Sequence, residues 1–192
     1  MVKPILFSTP MVQAILDGRK TMTRRVIASK NCPTLYPISK IFSDPIGAMY
    51  VGGIIRPRYQ PGDVLWVRET WCDTEKHFGR GVQPRYFYAA NKTPTSEEYR
   101  KDFGIPWRPS IFMPREAARL YLKVTDLRAE RVQDIFEEPP GPNNPIVKEG
   151  FSYGCDFIAT WENLNAKRGF GWKTNPWVWV ISFEKTGKPE EA

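Results

Sequence analysis

The densest run of chemically capable side chains is Gly18-Arg19-Lys20-Thr21-Met22-Thr23-Arg24-Arg25, where four cations and two hydroxyls follow one glycine. If the run enters a regular strand, Thr21, Thr23 and Arg25 share one face, and Lys20, Met22 and Arg24 share the other. Lys20 and Thr23 then meet only if the turn after Gly18 or a bulge redirects the lysine. The same residues also fit a solvated basic strand end. A second feature is Glu69 in Val64–Trp71, where alternation places it on the apolar face with Leu65, Val67 and Trp71. A carboxylate there needs a partner, and an arginine is the simplest one. A third feature is Trp107-Arg108-Pro109-Ser110 with Met113-Pro114-Arg115. Cations beside aromatics suit base stacking and phosphate contact, and equally suit cation–π packing on a surface.

Composition narrows the chemistry. His77 is the only histidine and lies in a polar loop, so it reads as a surface residue. Cys32, Cys72 and Cys155 are scattered and odd in number, which gives neither a disulfide framework nor a metal clip. No metal and no cofactor is expected, and catalysis must rest on Lys, Thr, Ser, Asp, Glu, Tyr or Arg. The formal charge of +7 favours a polyanionic partner. No run approaches the roughly 18 apolar residues that span a bilayer, and no secretory h-region opens the chain. The expected setting is the cytoplasm, away from membranes.

The elements that must position these residues follow in order. Ile5–Phe7 reads as a strand, and Ser8 or Thr9 can cap a helix with Pro10 in its first turn. Gly18 is placed to end that helix, and Thr21–Ile27 is β-branched enough for a strand. Pro61-Gly62-Asp63 marks a turn before a strand at Val64–Trp71. Further strands are expected at Arg85–Ala89, Leu120–Thr125 and Trp177–Phe183, with a helical turn at Arg115–Arg119 and a helix at Cys155–Ala166. Residues 1–185 read as one domain with insertions near 28–60, 72–84 and 91–113, followed by a polar tail at 186–192. Few helices are available to cover a parallel sheet, so an α+β fold built on a small mixed β-barrel suits the outline better than a doubly wound sheet.

Four blocks together resemble the ASCH-domain family, in the longer branch common in phages and prophages. They are ILFSTPMVQAILDGRKTMTRRVI, PGDVLWVRETW, the RPS…MPR stretch and NPWVWVISFE, spread in order over residues 4 to 184. The resemblance implies a PUA-like β-barrel with short flanking helices. It also implies a basic cleft for RNA or a modified nucleoside, lined by the Gly-x-Lys-x-x-Thr-x-Arg element. Some small members resemble amidohydrolases that deacetylate N4-acetylcytidine with a lysine, a threonine and a glutamate. Carried over, the lysine is Lys20, the threonine Thr23 and the nearby arginine Arg25. The glutamate falls best on Glu149, with Glu69 in reserve. The chain departs from its relatives at PPGPNNP (139–145), where they continue a helix. In such a site Thr23 attacks the acyl carbon, Lys20 acts as base and the glutamate protonates the leaving amine. Trp71 or Trp107 would stack on the base, and Arg19, Arg68, Arg108 or Arg115 would hold substrate or phosphate. Two other readings stay open beside the hydrolase. One is an RNA-binding protein or ribonuclease without amidase activity, and the other is a phage structural or interaction protein.

Overall fold

A computed structural model describes residues 1–27, 36–37, 48–50, 53–75, 85–91, 94–139, 141 and 143–190. His77, Cys32 and most of the 28–60 and 72–84 insertions lie outside the described residues. The strands are β1 (Val2–Leu6), β2 (Met22–Val26), β3 (Tyr36–Pro37), β4 (Ala48–Tyr50), β5 (Gly53–Ile55), β6 (Val64–Arg68), β7 (Trp71–Asp73), β8 (Tyr86–Tyr88), β9 (Tyr121–Arg131) and β10 (Trp177–Thr186). The helices are α1 (Thr9–Leu16), α2 (Pro94–Asp102), α3 (Pro145–Lys148) and α4 (Gly154–Asn165), with several 3₁₀ turns between them.

The principal sheet is mixed, five-stranded and open, in the order β1-β6-β9-β10-β2. This corrects the barrel expected from the sequence. Closure needs the two terminal strands to pair with each other, whereas β1 and β2 stand at opposite ends of the order. Pro4 in β1 suits an edge, because it has no N–H to give a neighbour. Two small antiparallel sheets, β3-β4-β5 and β7-β8, complete the strands.

The chain divides into two compact units. The first comprises Met1–Asp17, Val64–Leu122 and Lys185–Ala192. Here β1 runs parallel to β6, from Val2 opposite Val64 to Leu6 opposite Arg68. Helix α1 carries Pro10 in its first turn and buries Val12, Ala14 and Ile15. Trp71, Met113 and Ala117 form a small cluster with Tyr86 and Tyr88 against it. Within the expected 91–113 insertion, residues 94–102 form α2, in which Arg100 pairs with Glu97 at 2.8 Å.

The second unit comprises Gly18–Asp63 and Lys123–Glu184. Its core gathers Met22 of β2, Val178 and Val180 of β10, and Phe157 and Trp161 of α4 around Val132 and Ile135. A helix therefore covers one face of these strands, and that face is buried without closing a barrel. Strand β2 runs antiparallel to β10, with Thr23 opposite Ile181 and Arg25 opposite Trp179. Gly18 adopts φ +76°, a conformation that favours glycine, so the turn before Lys20 is encoded locally.

Candidate functional site

Lys20 precedes β2 and is bridged to Glu149, just past α3. The PPGPNNP stretch sets α3 in place. Asn144 caps the helix by accepting from the Ile146 N–H at 2.9 Å, while its amide donates to the Glu138 and Pro139 carbonyls, each at 3.0 Å. Pro145 fills the first turn, where its missing N–H costs nothing. Gly150 takes φ +90° and ends the turn after Glu149. The Thr21 N–H then donates to the Lys148 carbonyl at 2.8 Å, which fixes the start of β2 against the end of α3.

This arrangement buries Lys20 completely, with 0% side-chain exposure. Its ammonium donates to Glu149 Oε2 at 2.6 Å and to the Glu149 carbonyl at 2.9 Å. Arg24, two positions beyond Met22 on the same strand face, donates from one terminal nitrogen to Glu149 Oε1 at 3.3 Å and from the other to Glu130 Oε1 at 2.5 Å. Glu130 also accepts from Arg128 Nε at 3.0 Å, and Arg128 donates on to Asp126 at 3.1 Å. The result is a ladder of alternating charge from a fully buried amine to an exposed carboxylate. Arg24 and Glu130 were not singled out in the sequence. The alternation that puts Lys20, Met22 and Arg24 on one face was the signal for Arg24.

Burial pushes the Lys20 amine below its ordinary value of 10.5, partly countered by the Glu149 charge and hydrogen bond, with Arg25 and Arg24 adding to the lowering. Below the lowered value the folded protein bears the cost of a buried cation. Between that value and 10.5 the unfolded chain binds more protons, so stability rises with pH. The wild type is therefore expected to gain stability relative to Lys20→Met as pH is raised toward 10.5. Urea denaturation of both proteins across that range checks this, and a constant difference would contradict it.

The other expected site residues fall in different surroundings. Thr23 is 3% exposed and faces away from Met22 and Arg24, so its hydroxyl is not hydrogen-bonded to Lys20 or Glu149. Arg25 is held below its ordinary value by burial, while the Tyr59 phenol and Glu149 pull it upward. Arg19 is exposed and donates to the Gly150 carbonyl at 3.2 Å. Glu69 is 1% exposed, and both its oxygens are taken by Arg119 at 2.9 Å. Trp71 is 3% exposed, packed edge-on to Tyr86, with the Arg108 guanidinium 5.4 Å from its ring centre. It is therefore a core residue in its own unit rather than an open stacking platform. Trp107 is half-buried beneath Arg100 at 5.2 Å, Arg68 lies over Trp66 and donates to the Ile111 carbonyl, and Arg115 is exposed.

A cavity of about 350 Å³ opens on the Met22 side of β2, lined also by Ser182, Arg128, Glu130, Asp134, Glu137, Glu138, Asn143, Pro145 and Lys148. Its wall carries four carboxylates against two cations, so it favours ligand donor groups over phosphate. Among the described residues no group of three or more His, Cys, Asp or Glu is placed to hold a metal ion, and no helix is long and apolar enough to cross a membrane. Compared with known proteins, the chain matches no family model, no curated protein and no solved structure.

Proposed function

We propose that the chain is an ASCH-like amidohydrolase of N4-acylated cytidine-type nucleosides, in which Lys20 and Glu149 move the proton. The observation that carries this reading is the 2.6 Å contact between the motif lysine and a carboxylate 129 residues away, both buried. One proton shared across that contact gives either ammonium and carboxylate, or free amine and carboxylic acid. The second form supplies a base and an acid at once. Burial that lowers the lysine favours the neutral amine.

In this mechanism the Lys20 amine takes the proton of the Thr23 hydroxyl as its oxygen bonds to the acyl carbon. The bond from that carbon to N4 then breaks, and N4 leaves as the amine with a proton delivered from Glu149. Water attacks the acyl-threonine, releasing the carboxylic acid and restoring the hydroxyl. Thr23 lies on the face of β2 opposite to Lys20 and Arg24, so this step requires a local rearrangement of the start of β2 and not a change of rotamer alone. The acidic wall of the adjacent cavity supports a neutral nucleoside over a phosphodiester chain at this position.

Hydrolysis of N4-acetylcytidine, free and within RNA, tests the proposal by release of acetate. Lys20→Met and Glu149→Gln are each expected to reduce the rate by about 100-fold or more. No release by the wild type, or an unchanged rate in Lys20→Met, overturns it. RNA binding without hydrolysis is the second reading, favoured by the +7 charge. It predicts oligonucleotide affinity that falls steeply as salt rises, measured by fluorescence anisotropy.

A further inference from the structure

We propose that Arg24 and Glu130 are positioning residues of the Lys20–Glu149 pair, clamping Glu149 on its second oxygen so that the first stays on Lys20. This rests on the reading of Lys20 and Glu149 as the proton-moving pair. The geometry behind it is a division of labour on one carboxylate. Oε2 receives the Lys20 ammonium at 2.6 Å, and Oε1 receives Arg24 at 3.3 Å. Arg24 is itself anchored on the far side by Glu130 at 2.5 Å, and Glu130 by Arg128 at 3.0 Å. The backbone of Glu149 is held by the bridge to Lys20, and Arg24 adds a hold on the side chain itself.

The arrangement has an electrostatic consequence. Arg24 and Arg25 from β2 oppose a charge on Lys20, and Glu149 favours it. Tyr59 and Glu149 act on Arg25, and Glu130 acts on Arg24 from β9. The charged neighbours in sequence are Lys148 at the end of α3 and Arg19, which is exposed and donates to the Gly150 carbonyl. Removing Arg24 takes one cation from this set and leaves Glu149 wholly to Lys20, so the amine holds its proton to higher pH. Removing the Glu130 charge leaves Arg24 leaning on Glu149 alone, so the amine loses its proton at lower pH. The two substitutions push in opposite directions. An uncharged contact that only adds stability moves neither titration.

The test follows the Lys20 signal in protein labelled with 13C at lysine Cε, assigned by its loss in Lys20→Met. Arg24→Gln is expected to raise the midpoint by about one pH unit. Glu130→Gln is expected to lower it, and Arg24→Lys to return it toward wild type. Midpoints unmoved, or both moved the same way, overturn the proposal. Should Arg24→Gln fail to fold, Glu130→Gln decides alone: a lowered midpoint supports the clamp, and an unmoved one refutes it. The titration is read without substrate, so absence of N4-acetylcytidine hydrolysis in the wild type would sink the hydrolase reading and leave this result standing.

Discussion

Glu149→Ala is expected to lower unfolding stability at neutral pH by about 3–5 kcal/mol, because it strands two buried cations. The Lys20 and Arg24 side chains are 0% and 1% exposed, and Glu149 bonds both. The two respond differently. Lys20 can shed its proton, since burial already draws it downward. Arg24 keeps Glu130 as its ion-pair partner among the described residues. The loss should therefore shrink as pH is raised and Lys20 becomes neutral. A paired substitution, Lys20→Met with Glu149→Leu, should recover most of the stability, because it removes the ion pair rather than breaking it. Chemical denaturation of the single and double variants at pH 7 and pH 9.5 measures all three effects. A loss below about 1 kcal/mol at pH 7 would mean that water reaches the pair.

Arg119→Ala is expected to cost about 3 kcal/mol or more for the same reason in the other unit. Glu69 is 1% exposed and accepts from Arg119 through both oxygens, in parallel bonds of 2.9 Å. The guanidinium also lies 4.0 Å from the centre of the Tyr88 ring, and the Tyr88 hydroxyl is fixed on the Ala117 carbonyl at 2.7 Å. Alanine leaves a buried carboxylate without a partner and removes the stack. Arg119→Lys should rescue only part of the loss, since an ammonium offers one point of contact and no planar fork. Melting curves for the two variants separate these outcomes. Equal stabilities of the lysine variant and wild type would show that charge alone is enough.

The sequence was most legible where the determinants are local. Pro10 and Gly18 bracket α1, Pro61-Gly62-Asp63 precedes β6, and the apolar run from Trp177 becomes β10. Alternation also placed Lys20, Met22 and Arg24 on one face, which is why Lys20 and Arg24 share the Glu149 carboxylate while the Thr23 hydroxyl faces the other way. Asn144 and Pro145 show how a segment that cannot continue a helix can still begin one. The open sheet was not legible, because closure depends on which distant strands share a register. Strand β9 runs to Arg131, well beyond the expected Thr125, for a related reason. After Val124 the apolar alternation shifts by one residue, to Leu127 and Ala129, which breaks the pattern that marks the first half of the strand, and the sheet supplies the ladder there. Helix α2 was hidden by its charged, weakly apolar sequence, and the Glu97–Arg100 pair, three residues apart, supports it locally. For Glu69, the apolar face demanded a partner, but periodicity could not name Arg119, 50 residues away.

The distance along the chain between Lys20 and Glu149 bears on how the protein is made. At roughly 5–20 residues per second, translation reaches Glu149 many seconds after Lys20 has left the ribosome. Throughout that interval β2 lacks β10, the strand it pairs with, and Lys20 lacks its carboxylate. The lysine and two arginines of this segment keep the nascent β2 hydrated and make it a poor template for pairing with other chains. The charges that end up buried at the candidate site thus act first as a safeguard on the growing chain. Only synthesis of α3 and β10 turns them inward.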